Sequence, residues 1–190
     1  SFHPRKSITS GEGGILLTND DEVAVSLRQL RNHGIEMENG QMSFVKAGFN
    51  YRMTDFQAAL AWSQFQRIEQ ILLHKNELAR IYFRELSGII MKLPHVPPDR
   101  NHTWQTFHLL INDELDQQTM INELKKGGIG ANYGAQCIPA QPYYRNRYGL
   151  DSERQFPNSY RAYTKGLAIP IYEKLKEEDI IYISKIVNQL

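Results

Sequence analysis

Gly48-Phe49-Asn50-Tyr51-Arg52-Met53-Thr54-Asp55-Phe56-Gln57-Ala58-Ala59-Leu60 contains the clearest helix start in the chain. Thr54 followed three residues later by Gln57 is a capping box, in which each side chain satisfies the other residue's backbone N–H. From there apolar residues recur at helical spacing through Leu60, Phe65, Ile68, Leu72, Ala79, Tyr82 and Leu86, with a stop expected at Gly88. A helix from Thr54 to Leu86 would run close to 50 Å at ~1.5 Å per residue. It either breaks near His74–Lys75 or forms a spine between two units. The proline-rich turn Pro94-His95-Val96-Pro97-Pro98 that follows favours the spine.

Upstream, Ile15-Leu16-Leu17-Thr18 follows Gly11-Glu12-Gly13-Gly14 and reads as a strand entered from a glycine turn. Asn19-Asp20-Asp21-Glu22 places cap residues and acids ahead of Val23, Val25, Leu27 and Leu30, a helix closed near His33-Gly34. Residues 35–49 read as loop. Downstream, Trp104 to Ile111 suits a strand, and Asp116 to Lys126 a helix ended by Gly127. Strands are expected at Ile129–Tyr133 and Leu167–Ile171, with a helix between them from Phe156 to Lys165. A last helix from about Lys176 to Leu190 buries Ile180, Ile183, Ile186, Val187 and Leu190. The expected organisation is α/β, in three parts: 1–53, the connecting helix 54–88, and 89–190. A soft prior of about 100–200 residues per domain makes this one domain or two small ones.

Charge and cysteine content exclude several classes. With 22 Lys+Arg against 21 Asp+Glu the net charge is +1, unlike a nucleic-acid wrapper or an acidic tail. No apolar run approaches the roughly 20 residues of a membrane helix. One cysteine, Cys137, builds no disulfide framework, and the first residues lack an apolar leader core, so a cytoplasmic protein is expected. Histidines at no i, i+4 spacing and the single cysteine argue against zinc. Gly11-Glu12-Gly13-Gly14 fits neither the dinucleotide nor the Walker pattern. Composition alone makes Lys6 an ordinary surface lysine.

Three blocks change that reading. Ser1-Phe2-His3-Pro4-Arg5-Lys6-Ser7-Ile8-Thr9-Ser10-Gly11-Glu12-Gly13-Gly14 resembles the lysine motif of the DegT/DnrJ/EryC1/StrS family of sugar aminotransferases. Arg31-Asn32-His33-Gly34 with 48–60, and Leu167-Ala168-Ile169-Pro170-Ile171-Tyr172, agree in order and spacing. The resemblance spans essentially the whole chain but only the C-terminal half of a family member. It implies the C-terminal portion of an aspartate-aminotransferase-like, type I pyridoxal-phosphate fold: the end of the large domain plus a small α/β domain.

The resemblance also implies roles. Lys6 stands at the family's Schiff-base lysine, where a primary amine condenses with the cofactor aldehyde and, when neutral, shuttles a proton. Its pKa, near ~10.4 when free, must then fall in the pocket. A sister branch, the sugar dehydratases, carries histidine there, so Lys6 points to amino transfer. Ser1 matches a serine on the cofactor phosphate, or is simply a terminal serine. Asn50 matches an asparagine that reaches the neighbouring subunit's cofactor, which implies a homodimer; its other reading is an Asx-turn. Arg52 faces the diphosphate of a nucleotide-linked sugar or is an exposed helix-flanking charge. His3 flanks the cofactor or packs near Phe2.

Tyr133, Tyr143 and Tyr144 lie in a segment similar to the family's substrate-facing loop, here Asn132-Tyr133-Gly134-Ala135-Gln136-Cys137-Ile138-Pro139 rather than a histidine-bearing pattern. That departure leaves the sugar unspecified. The family's acidic partner of the pyridinium nitrogen lies before the lysine motif, so the chain is expected to be a piece of a longer enzyme. The implied activity is transfer of an amino group, from L-glutamate, to a keto group of a nucleotide-linked sugar. The alternatives are a non-catalytic dimerisation or binding fragment, a sugar dehydratase, and a cyclitol aminotransferase of the same family.

Overall fold

The computed structural model describes residues 1–86 and 91–190, so the helix stop expected at Gly88 lies outside the described residues. It divides into two compact units, Ser1–Ile68 and Glu69–Leu190.

The first unit begins with the loop 1–20 and helix α1, Asp21–Arg31. Asp20 caps α1 by accepting the Val23 N–H at 3.0 Å. Asp21 and Glu22 in the first turn and Arg28 and Arg31 in the last suit the helix dipole. A hairpin follows, β1 Ile35–Glu38 and β2 Gln41–Phe44, paired antiparallel with Glu38 opposite Gln41. This corrects the reading of 35–49 as loop. The missed signal is Asn39-Gly40, whose φ values of 52° and 79° give the two left-handed positions of a two-residue hairpin turn.

Helix α2, Asp55–Phe65, starts on the expected capping box, with both reciprocal bonds formed. The single long helix is also corrected. The chain turns at Gln66–Arg67, where the Arg67 N–H bonds back to the Gln64 carbonyl at 3.0 Å, and α3 runs Ile68–Glu85. Neither glycine nor proline marks that break, and α3 is continuous through His74–Lys75. The strand expected at Ile15–Thr18 is absent. Among the described residues nothing pairs with it, and Ile15, Leu16 and Leu17 are exposed.

The second unit is built on a three-stranded antiparallel sheet in the order β3 (Met91–Lys92), β4 (Phe107–Ile111), β5 (Gly166–Ile169). Along β4 the residues alternate, so Phe107, Leu109 and Ile111 enter the core. They join Leu78 and Tyr82 of α3, Leu124 of α4 (Gln117–Lys126), and Ile180, Ile183 and Val187 of α8 (Glu177–Gln189). The buried Tyr82 hydroxyl donates to the Pro170 carbonyl at 2.6 Å. Ile186 and Leu190, expected to be buried, are partly buried against this core.

The strand expected at Ile129–Tyr133 reduces to one bridge, Asn132 with Ala168. Gly128 and Gly134, both at positive φ, turn the chain away on either side. Short helices α5 (Pro142–Tyr148), α6 (Ser152–Gln155) and α7 (Pro157–Thr164) connect back to β5. The first two were not expected from apolar spacing, since four to seven residues hold too few turns to show it.

Candidate active site

The loop carrying Lys6 closes on itself through its backbone. The Phe2 N–H donates to the Gly13 carbonyl at 2.9 Å, and the Ser10 N–H to the Phe2 carbonyl at 3.0 Å. Within that ring the Lys6 N–H donates to the His3 carbonyl at 2.9 Å, forming a tight turn with Lys6 half-buried. His3 Nδ1 accepts the Arg5 N–H at 3.2 Å, and Ser1 Oγ accepts the His3 N–H at 3.3 Å. Ser1, His3 and Lys6 therefore occupy one small structure. The Thr9 hydroxyl donates to the Phe2 carbonyl at 2.7 Å and ties the two arms of the loop.

Helix α2 holds this loop from the side. Gln64 acts as a clamp: its Oε1 accepts the Thr9 N–H at 3.1 Å and its Nε2 donates to the Thr9 carbonyl at 2.7 Å. One amide thus pairs with both backbone groups of Thr9, as a neighbouring strand would. Gln57 Nε2 donates to the Glu12 carbonyl at 3.4 Å. Both glutamines escaped the sequence reading as site residues; Gln57 was read for its cap alone. The available signal was their spacing of seven, which puts them on one helix face.

Asn50 and Arg52 lie on a second segment, attached to the C-terminal end of α1. The Phe49 N–H donates to the Leu30 carbonyl at 2.8 Å, the His33 N–H to the Phe49 carbonyl at 2.9 Å, and the Tyr51 N–H to the Arg31 carbonyl at 2.9 Å. Two glycines permit this approach. A Cβ on Gly34 would overlap the Lys46 carbonyl, and one on Gly48 would overlap the Gly34 nitrogen. Asn50 bridges Asn32, and Arg52 Nη1 donates to Asn32 Oδ1 at 2.6 Å. The next residue, Met53, reaches the lysine loop: a Cβ on Gly13 would lie 2.9 Å from its Cε.

Tyr133 belongs to the second unit. Its ring meets that of Tyr163 edge-on at 5.7 Å, and its hydroxyl accepts from Gln136 Nε2 at 2.8 Å.

The donor set of the first unit fits pyridoxal phosphate: an amine for an aldehyde, with hydroxyls and an amide for a phosphate. Residues 1–11 contain Arg5 and Lys6 and no carboxylate, so the loop's own charge favours an anion. Among the described residues no group of three His, Cys, Asp or Glu could hold a metal ion. No described helix is long and apolar enough to cross a membrane.

A lysine loop clamped on a capped helix in one unit and a small antiparallel α/β unit in the other make up a partial α/β aminotransferase fold. Solved structures share it. PseC of Helicobacter pylori, an aminotransferase involved in pseudoaminic acid biosynthesis, matches all of this chain and 51% of its own, with a TM-score of 0.91 at 22% identity. The putative sugar aminotransferase Spr1654 of Streptococcus pneumoniae, in its PMP form, matches with a TM-score of 0.88 at 21% identity over all of this chain and 51% of its own.

The chain belongs to the DegT/DnrJ/EryC1/StrS aminotransferase family, whose model matches residues 1–188. The spore coat polysaccharide biosynthesis protein SpsC of Bacillus subtilis is 30% identical over 95% of this chain and 50% of its own length. An uncharacterized protein of Methanocaldococcus jannaschii is 31% identical over all of this chain and 52% of its own. The chain thus spans about half the length of the curated relatives it matches.

Proposed function

We propose that the full-length protein containing this chain transfers an amino group, from L-glutamate, to a keto group of a nucleotide-linked sugar, with pyridoxal 5′-phosphate as cofactor. The observation that carries this reading is Lys6 at the turn of a loop whose backbone is fixed by its own bonds and by Gln64. A fixed loop suits a residue that must return to one position in each half-reaction. Family membership and the sugar-linked relatives support the substrate class. The cytoplasm is the proposed location.

When bound, the cofactor supplies an aldehyde and an electron-withdrawing ring on which the amino group is carried between donor and acceptor. Lys6 Nζ is the group that moves the proton at the carbon bearing the nitrogen. Ser1 Oγ and the Asn50 amide donate to the phosphate, Asn50 from the opposite subunit of a homodimer. Arg52, steadied by Asn32, presents guanidinium donors to the sugar's diphosphate. His3 and Tyr133 orient the sugar. Residues 1–53 end the large domain and 89–190 form the small one.

The test uses the full-length protein. Lys6→Ala should lose almost all turnover while still binding cofactor through its phosphate. Asn50→Ala should weaken cofactor affinity by about 1.5–3 kcal/mol, the value of a hydrogen bond to a charged group. Mixing the two variants should restore activity, because one hybrid site has both residues intact. Wild-type turnover in Lys6→Ala removes Lys6 from the mechanism. Absent recovery after proven subunit exchange removes the shared site.

A further inference from the structure

A cavity of about 380 Å³ lies within the second unit, between α3 and the loop 94–104. Its apolar wall is made by Phe83, Val96 and Trp104. Its polar lining comes from Arg100, His95, His102 and two asparagines, and no lining residue carries a carboxylate. Hydrocarbon on one side and donors on the other is the make-up of a ligand site, and the volume falls within the usual range of such sites.

Trp104 forms the back of this cavity in an unfavourable conformation, with φ of 46°, in the left-handed region that bulky side chains avoid. Three contacts hold it there. Its backbone N–H donates to His102 Nδ1 at 2.8 Å and its indole N–H to Asn76 Oδ1 at 2.9 Å. The His102 ring lies over the indole with centroids 4.1 Å apart. A strained residue fixed by its surroundings is a feature of ligand clamps. The first contact also sets the histidine. With Nδ1 accepting, the neutral ring of His102, a lining residue of the cavity, carries its proton on Nε2 as a further donor.

Arg100 supplies the formal charge. Its Nε faces Asp99 Oδ2 at 3.4 Å, and both side chains are about 70% exposed (74% and 69%), so water screens that pair. The guanidinium keeps further N–H donors in a planar fork suited to a carboxylate.

We propose that this cavity binds a small organic acid, its flat or branched hydrocarbon body against Phe83 and Trp104 and its carboxylate on Arg100 and His102. All residues of the site belong to the second unit.

The test uses benzoate as probe on the 190-residue chain, with neutral benzamide, of the same shape, as control. The protein has two tryptophans, Trp62 and Trp104, so a nitrogen–proton correlation spectrum shows two indole signals. Benzoate should shift the Trp104 indole signal saturably and leave that of Trp62 unmoved. Arg100→Gln, a change at an exposed loop position, should weaken binding about two- to fivefold, as expected for loss of one solvent-exposed charged contact. Benzamide should bind correspondingly less. Equal binding of benzoate and benzamide, a shift at Trp62 instead, an unchanged affinity in Arg100→Gln, or displacement of benzoate by equimolar inorganic phosphate would each overturn the proposal.

Discussion

Lys75 is 5% exposed on α3, and burial pushes its ammonium below the ordinary lysine value of 10.5, with the charge of Glu173 opposing that shift. A base whose pKa falls on folding is charged at a cost to the native state. That cost is full below the folded pKa and disappears as pH rises toward 10.5, because the unfolded chain binds the extra proton across that window. Stability of the second unit should therefore rise with pH in the alkaline range as far as this group is concerned. Lys75→Met should flatten that dependence and leave stability at neutral pH equal or greater, since Glu173 stays exposed to water. Urea midpoints at neutral pH and near 10.5 decide it. A loss above about 2 kcal/mol at neutral pH would mean the ammonium stabilises the fold more than its desolvation costs. Tyr82 is the neutral counterpart. Burial raises its pKa, and its hydroxyl already serves the Pro170 carbonyl. Tyr82→Phe leaves that carbonyl without its donor, for an expected loss of about 1–3 kcal/mol.

Helix α2 buries none of its residues, yet it anchors the loop that bears Lys6. Gln64→Ala removes both bonds to Thr9, so loop opening should become easier by about 1–3 kcal/mol, two neutral hydrogen bonds. In the full-length protein, hydrogen exchange at the Thr9 amide should quicken and turnover should fall while the helix itself persists. Unchanged exchange at Thr9 would show that the loop's own bonds suffice. The capping box at Thr54, the cap and acids that start α1 and the strand containing β4 were legible in sequence because each is a local rule with its own residue signature. The hairpin at Asn39-Gly40 was equally local and was missed although Ile35, Met37, Met42 and Phe44 alternate with polar residues on either side of the turn. The break at Gln66–Arg67 carries no glycine or proline, so composition could not reveal it. Motif spacing nominated Lys6, Asn50 and Arg52. The Gln64 clamp depends on a contact 55 residues away in sequence, which spacing does not encode.

Apolar exposure differs sharply between the two units. In the first, Ile15, Leu16 and Leu17 are 63%, 75% and 86% exposed, and Phe56 of α2 is 91% exposed. Phe44, Tyr51 and Trp62 are also exposed, whereas the buried hydrophobic cluster is made wholly of residues from 78 onward. Large apolar side chains exposed in such number within one unit belong against protein. The relatives are about twice as long, so more chain is available in such proteins to cover it. The 190-residue chain alone should therefore fold firmly in the second unit and only loosely in the first. Hydrogen exchange should protect β4, β5 and α8 and leave residues 1–68 near the open-chain rate. A dye specific for exposed apolar surface should bind, and the chain should associate with rising concentration. Pyridoxal phosphate should find no stable seat on Lys6, because holding the cofactor there requires walls that exclude water from a half-exposed loop. Borohydride trapping at Lys6 in one-to-one yield, together with glutamate-dependent amination by this chain, would show that residues 1–68 form a complete site unaided.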